Sequence, residues 1–80
     1  MDVVYMLITT DAGELENVLV RIMKNPNVME AHAVTGAYDI IAKISTPYIA
    51  EVMGNTIRNI RKIHGVKSTQ TLVCVSHVKK

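Results

Sequence analysis

Val3-Val-Tyr-Met-Leu-Ile8 is apolar at every position, so a strand formed by these residues has no polar face. Such a run is typical of a central strand that is covered on both sides. Asp11 and Glu14 follow with the spacing of a capping box, which predicts a helix start there. The next segment carries an apolar stripe with helical spacing, formed by Leu15, Val18, Leu19, Ile22 and Met23.

The rest of the chain repeats this order of strand, helix and strand. We predict a second strand from Val28 to Thr35, a third from Tyr38 to Ser45 and a fourth from Val66 to Val78. Thr46-Pro47 predicts the start of a second helix, with a hydroxyl N-cap and proline at the first helical position, and Gly65 predicts its end. The apolar residues of this helix are Ile49, Val52, Met53, Ile57 and Ile60.

The two halves of the chain superpose at an offset of 38 residues. The matching pairs are Leu15 with Met53, Leu19 with Ile57, Ile22 with Ile60, Val28 with Val66, and Val34 with Leu72. Two such halves predict an α+β protein with a ferredoxin-like βαββαβ fold, in which a four-stranded antiparallel sheet carries both helices on one face. By analogy with known folds, the strand order is 4-1-3-2.

The predicted sheet has one face that neither helix covers. The first and third strands are apolar on both sides, so that face would expose more apolar surface than a soluble monomer usually tolerates. The chain forms one domain, residues 1–80, and 49% of its residues are hydrophobic, which is high for so small a body. We therefore expect a homo-oligomer in which two sheets pair in a dimer.

Composition and spacing argue against several classes of function. The net charge of +2 is small and the chain has no Phe or Trp to stack bases, so we expect no direct nucleic-acid partner. Cys74 is the only cysteine, and His32, His64 and His77 lack metal-ligand spacing, so we expect no metal and no cofactor. No apolar stretch approaches the length of about 18 residues that spans a membrane, and no signal peptide is evident. We expect a cytoplasmic protein that is not an enzyme.

One segment has the chemistry of a binding site: Val34-Thr-Gly-Ala-Tyr-Asp-Ile-Ile41. Asp39 is a carboxylate among apolar and small residues, directly after a glycine turn. It could brace that turn by an Asx-type bond to the turn backbone. Alternatively, it could receive an ammonium group while the N–H groups of the turn receive a carboxylate. Thr69, Gln70 and Thr71 on the fourth strand could add polar contacts from a neighbouring subunit, or they could be ordinary polar residues of an edge strand.

The chain resembles the effector-binding RAM domain of the leucine-responsive regulator/AsnC family. Three motifs carry the resemblance: the hairpin motif above, Ile63-His-Gly-Val66 and Thr69-Gln-Thr-Leu-Val73. Family members carry a DNA-binding helix-turn-helix domain ahead of this module, whereas this chain starts directly before its first strand. It is therefore similar to the small stand-alone RAM proteins, which implies regulation of amino-acid metabolism or transcription without direct repression.

The resemblance also implies an assembly and a site. Dimers in the family form rings of eight or ten chains, and amino acids bind between dimers at the hairpin loop. Full-length regulators of the family are possible partners in mixed assemblies. The ligand-binding residues carried over to this chain are Thr35, Gly36, Ala37, Tyr38 and Asp39, faced by Thr69 and Thr71 from the fourth strand.

Two alternatives share the predicted topology. ACT-type regulatory domains also bind amino acids, but they have a glycine-rich loop after the first strand, where this chain offers only Gly13. Small dimeric α/β-barrel enzymes need an acid or base inside an apolar cavity, and His32 is the best candidate for that role. Both alternatives rank below the RAM domain.

Overall fold

The fold is a single antiparallel sheet with two helices on one face. The computed structural model describes residues 2–76 and 78. Its strands are β1 (Asp2–Thr10), β2 (Val28–Ala33), β3 (Ile40–Thr46) and β4 (Val66–Val73). They lie in the order β2-β3-β1-β4, and all neighbours are antiparallel. This arrangement confirms the predicted fold class and the predicted strand order.

Two helical stretches connect the strands. The first is α1 (Leu15–Ile22). The second helix, residues 49–61, consists of α2 (Ile49–Glu51), a π-helical segment (Val52–Thr56) and α3 (Ile57–Arg61). The sequence did not reveal the π-helical segment.

The core lies between the helices and one face of the sheet. Alternate residues of β1 and β3, with Val28 of β2, supply the sheet side, and the helices supply the rest. The cluster comprises Val4, Met6, Ile8, Val18, Ile22, Val28, Ile40, Ala42, Ile44, Val52, Ile57 and Ile60. Burying each of the larger side chains stabilises the fold by about 1.5–3 kcal/mol relative to exposure. Because side chains alternate along a strand, the residues between them in β1 and β3 point to the opposite face.

That opposite face, which we call the open face, carries apolar side chains that no described element covers. Val3, Tyr5, Leu7 and Ile41 are half-buried on it, and Leu72 of β4 is 42% exposed. The register places Leu7 beside Ile41 and Tyr5 beside Leu72, so these side chains form a continuous patch. A patch of this kind is typical of a surface that another molecule covers.

The internal repeat appears in the backbone hydrogen bonds. The Asn25 and Ile63 N–H groups each donate to a carbonyl three residues earlier at 3.1 Å, and the Val28 and Val66 N–H groups do the same at 3.1 Å. These bonds are related by the offset of 38 residues, so both halves leave their helix and enter the next strand through the same turn.

Several predicted strand ends are wrong. β1 extends to Thr10 instead of ending at Ile8, β2 ends at Ala33 instead of Thr35, and β3 begins at Ile40 instead of Tyr38. The hairpin closes when the Val34 N–H donates to the Asp39 carbonyl at 2.8 Å, so residues 35–38 form the turn.

β4 also ends earlier than predicted, at Val73 instead of Val78. The Cys74 N–H still donates to the Val3 carbonyl at 2.9 Å, one residue beyond the last paired residues of β1 and β4. His77 lies outside the described residues.

Both predicted helix caps differ from the structure. α1 begins after Glu14 without a side-chain cap, and the Asp11 N–H instead donates to the Gly65 carbonyl at 2.8 Å. Thr46 belongs to β3, where it pairs with Asp2, so the second helix cannot start there. The Thr46 hydroxyl oxygen accepts the Tyr48 N–H at 3.0 Å just before the helix begins.

Gly65 also has a different role from the predicted helix cap, because the second helix ends at Arg61. It is buried with a φ of +98°, and a Cβ there would lie 2.7 Å from the Cβ of Glu14 and 3.0 Å from a methyl group of Val18. The absence of a side chain therefore lets the turn before β4 approach α1 closely.

Two methionines predicted in the apolar stripes are exposed. Met23 follows the last residue of α1 and is 46% exposed, and Met53 is 48% exposed. Met53 lies in the π-helical segment, whose wider turn rotates its residues away from their α-helical positions.

Candidate functional site

Four parts of the chain meet at one end of the sheet. β1 ends there at Thr10, and because β3 and β4 run antiparallel to β1, both begin there. The hairpin turn of residues 35–38 lies beside them, since it joins β2 to β3. This end, which we call the hairpin end, gathers most of the polar residues that the sequence singled out.

Asp39 connects the hairpin to β1. Its carboxylate Oδ2 accepts the backbone N–H of Thr10 at 2.8 Å and lies 3.4 Å from the Thr10 hydroxyl. The Asp39 N–H donates to the Ile8 carbonyl at 2.9 Å. Of the two alternatives for Asp39, the Asx-type bond to the turn backbone is not formed, and the carboxylate accepts a hydrogen bond from the neighbouring strand instead. Within residues 2–76, the other carboxylate oxygen, Oδ1, has no hydrogen-bond partner.

Tyr38 reaches across the sheet to β4. Its hydroxyl donates to Oε1 of Gln70, although β1 lies between β3 and β4. Gln70 is paired with Leu7, so the Tyr38–Gln70 bond lies on the open face. On the same face, the hydroxyls of Thr9 and Ser68 share a hydrogen bond. The hairpin end thus presents hydroxyl and amide groups beside the apolar patch.

The turn itself presents backbone donors. Thr35, Gly36 and Ala37 are exposed, and Gly36 has a φ of +123°, which glycine adopts without strain. The N–H groups of residues 35–38 donate to no acceptor within the described part of the chain. The turn therefore carries backbone N–H groups that have no acceptor among the described residues, and they lie one to four residues before Asp39.

Thr69 and Thr71 do not join this group within one chain. They pair with Ile8 and Met6, whose side chains are buried under the helices, so both threonines point to the helix side of β4 and are half-buried there. Gln70, between them, points to the open face and is the residue of β4 that contacts the hairpin. A contact from Thr69 or Thr71 to the hairpin would have to come from another subunit.

Sequence reasoning missed the contributions of Thr9, Thr10 and Ser68. Thr10 binds Asp39 mainly through its backbone N–H, which no residue type reveals. Thr9 and Ser68 come together through strand pairing, and neither lies in a motif of its own.

The described residues contain no group of three His, Cys, Asp or Glu side chains that could hold a metal ion. The two described histidines face glutamates at the surface: His32 lies 3.7 Å from Glu30 and His64 lies 3.6 Å from Glu14. His32 therefore lies on the exterior of β2. The alternative of a small α/β-barrel enzyme needs an acid or base inside a cavity, and His32 does not meet that requirement. No helix within the described residues is long and apolar enough to cross a membrane.

Comparison with known proteins assigns this architecture to a class of ligand-binding regulatory domains. Residues 3–80 match the family model of the Lrp/AsnC ligand binding domain, and the chain belongs to that family. It is 32% identical over 69 residues to the HTH-type transcriptional regulator FL11 of Pyrococcus furiosus, covering 86% of this chain and 45% of the regulator. It is 31% identical over 71 residues to the regulatory protein AsnC of Haemophilus influenzae, covering 89% of this chain and 47% of that protein.

A solved structure confirms the fold. The crystal structure of FFRP-DM1 superposes with a TM-score of 0.86 at 29% identity, covering 94% of this chain and all of that one. The chain spans about half the length of the curated relatives it matches. Its relatives are transcriptional regulators, so the predicted resemblance to the RAM domain is confirmed and the chain is a regulatory module by family.

Proposed function

We propose that this chain senses a free amino acid at the hairpin end while it is assembled as an oligomer, and that it catalyses no reaction. The observation that supports this proposal best is the Asp39 carboxylate. One of its oxygens is fixed on the Thr10 N–H at 2.8 Å, and the other has no partner in the described residues. A carboxylate held in this way is oriented before a ligand arrives, which lowers the entropic cost of binding.

An α-amino acid carries the two charges that this site complements. Its ammonium group would donate to Oδ1 of Asp39, in a charge-assisted hydrogen bond worth about 1.5–3 kcal/mol. Its carboxylate would accept N–H groups of Thr35, Gly36, Ala37 and Tyr38, which have no acceptor among the described residues. In the assembly, Thr69 and Thr71 of a neighbouring subunit would close the site.

The Tyr38–Gln70 pair would select among amino acids by their side chains. Its hydroxyl and amide lie at the border between the turn and the apolar patch of the open face. A ligand side chain entering there would replace the bond between these two groups with bonds of its own, or lose affinity by leaving them unpaired.

Calorimetric titration with each of the twenty amino acids tests the sensor role. We expect a small subset to bind, and we expect the amide and the N-acetyl derivative of the best ligand to bind at least about tenfold more weakly, since each lacks one of the two charges. Equal affinity for the ligand and both derivatives would contradict recognition of a zwitterion. Absence of binding by all twenty amino acids would contradict the sensor role itself.

The open face supports the proposed assembly. Its apolar patch lies on the two central strands, and a second copy placed sheet to sheet would bury it. By family, we expect dimers that associate further into rings of eight or ten chains. Sedimentation at micromolar concentration should show no species of about 9 kDa, since the chain is 8.9 kDa.

A matched pair of variants separates this interface from general destabilisation. Leu7→Glu places a charge in the centre of the open face and should dissociate the dimer. Lys24→Glu places the same charge on an exposed position outside the sheet and should leave the dimer intact. A native chain that sediments as a monomer would refute the proposed assembly.

The chain would regulate transcription by binding other proteins. The relatives include transcriptional regulators named for a helix-turn-helix, and the chain matches about half of their length. We propose that the module acts by joining full-length regulators of its family through the same open face, without binding DNA on its own. Co-expression with a tagged regulator tests this, because Leu7→Glu should abolish co-purification and Lys24→Glu should not.

A further inference from the structure

The helix layer carries a groove that the effector site does not use. The groove has a volume of about 440 Å³ and is lined by Met53, Gly54, Ile57, Arg58, Arg61 and Lys62. It lies along the second helix, on the side of the sheet opposite to the open face.

The helix is irregular at the groove. Val52–Thr56 is π-helical, and the Ile57 N–H donates to the Val52 carbonyl across the wide turn. Gly54 lies in the middle of this segment, and a Cβ there would meet no atom within 4 Å. Packing therefore does not require glycine at this position, although glycine inside a helix costs about 1 kcal/mol relative to alanine. Short π-helical segments are often found at functional sites.

The lining combines exposed apolar surface with unpaired positive charge. Met53 is 48% exposed, and Ile57 forms part of the apolar lining beside it. Arg58, Arg61 and Lys62 have no carboxylate within 4.0 Å among the described residues. No acidic residue lines the groove.

The helix dipole explains only in part why three cations lie together at this end of the helix. Cations in the last turn gain about 0.3–1 kcal/mol from the helix dipole. Arg58 and Lys62 are four residues apart, however, so their like charges repel each other across one turn. Packing compensates for the π-helical turn in part, since Val52 and Thr56 are buried. Gly54 and the repulsion between the cations have no compensating contact among the described residues. Conflicts of this kind are expected where a sequence serves binding.

We infer that the groove binds an acidic segment of a partner protein, with an apolar side chain of that segment seated over Gly54 between Met53 and Ile57. The cations would pair with carboxylates of the segment, which supplies the charge complementarity that the chain lacks. Methionine suits such a surface because its flexible, polarisable side chain adapts to different apolar groups. A nucleic-acid backbone would match the cations but would leave the apolar lining exposed, so a peptide fits better.

Panning a phage-displayed library of random twelve-residue peptides against the intact protein tests this inference. We expect enrichment of sequences that contain both Asp or Glu and a large apolar residue, and we expect a synthetic peptide of the consensus to bind in a fluorescence-anisotropy titration. Gly54→Leu places a side chain in the groove, its Cβ meets no atom within 4 Å, and leucine has a higher helix propensity than glycine, so the fold should be retained while peptide affinity falls at least tenfold.

Charge reversal provides the second arm. Arg61→Glu should weaken the consensus peptide at least about tenfold, whereas Lys24→Glu, at an exposed position that does not line the groove, should not. Enrichment without acidic residues, full binding by Gly54→Leu, or no enrichment at all would overturn the inference. Preferential binding of a 20-base-pair duplex that Arg61→Glu weakens and Gly54→Leu leaves unchanged would overturn it as well, because the partner would then be a nucleic acid.

Discussion

Substitution of Asp39 tests whether the hairpin end is a sensor or only a brace. Asp39→Asn keeps the shape of the side chain and an oxygen that can accept the Thr10 N–H, now 2.8 Å away, but removes the negative charge. Asp39→Ala removes the acceptor as well. Comparison of the two variants therefore separates the charge offered to a ligand from the hydrogen bond that holds the hairpin against β1.

The expected magnitudes follow from the hydrogen bonds of the site. Replacing a charged acceptor by a neutral one should lower the free energy of unfolding by about 0.5–1.5 kcal/mol in Asp39→Asn. Asp39→Ala leaves the half-buried Thr10 N–H without its partner, which should cost about 1–3 kcal/mol. Loss of the charge should weaken amino-acid binding by about 10- to 100-fold in both variants, which corresponds to about 1.4–2.8 kcal/mol.

Calorimetric titration measures the affinity, and a chemical denaturation curve of the same preparations measures the stability. Sedimentation is the control, because the oligomer should survive in Asp39→Asn. If Asp39→Asn bound the ligand with native affinity while its unfolding free energy fell, Asp39 would be a structural brace and the proposed ammonium contact would be wrong.

Three further substitutions, the first with a matched control, test separate parts of the structure. Gly65→Ala should lower the free energy of unfolding by about 2–4 kcal/mol in a denaturant titration, because φ is +98° and the new Cβ would overlap Glu14. Gly13→Ala is the control: its φ is +80° but no atom lies within 4 Å of the new Cβ, so the free energy of unfolding should fall by only about 1 kcal/mol. Tyr38→Phe should weaken amino-acid binding by about 3- to 10-fold in calorimetry with little change in melting temperature, since it removes the bond to Gln70 at the surface; an unchanged ligand profile would exclude Tyr38 from selectivity. Thr56→Val should cost about 1–2 kcal/mol in thermal unfolding, because the buried hydroxyl accepts the side-chain amide of Asn27 at 2.9 Å.

The sheet could be predicted because its signal is long and redundant. Every residue from Val3 to Ile8 is apolar, and the 38-residue repeat assigns strands and helices twice. Helix starts were less predictable because several partners compete for the same residue. Thr46 has the preferences of an N-cap, but pairing with Asp2 keeps it in β3, and its hydroxyl then accepts the Tyr48 N–H outside the helix. The π-helical segment leaves no clear signal in residue types, since Gly54 alone does not specify it.

The hairpin end was predictable in place but not in detail. The turn and Asp39 lie where the glycine signal indicated. The contacting residue of β4 depends on which face each side chain takes, and Thr69-Gln-Thr71 is polar at all positions, so no alternation reveals the face. The register also shifts near Thr9 and Thr10, where Ser68 and Val66 are successive partners of β1. Such irregularities arise from the tertiary structure and cannot be read from one strand alone.

The central position of β1 has a consequence for how the chain folds. The first strand of the domain pairs with its last, since Val4 lies beside Val73, and its other neighbour, β3, is also distant in sequence. Contacts of such high sequence separation slow folding because a long loop must close before they form. During synthesis, β1 can pair with β3 once Thr46 has emerged, but its other edge stays unpaired until β4 follows. Nascent chains that stop before Val66 should therefore keep an open edge on β1 and be prone to aggregation.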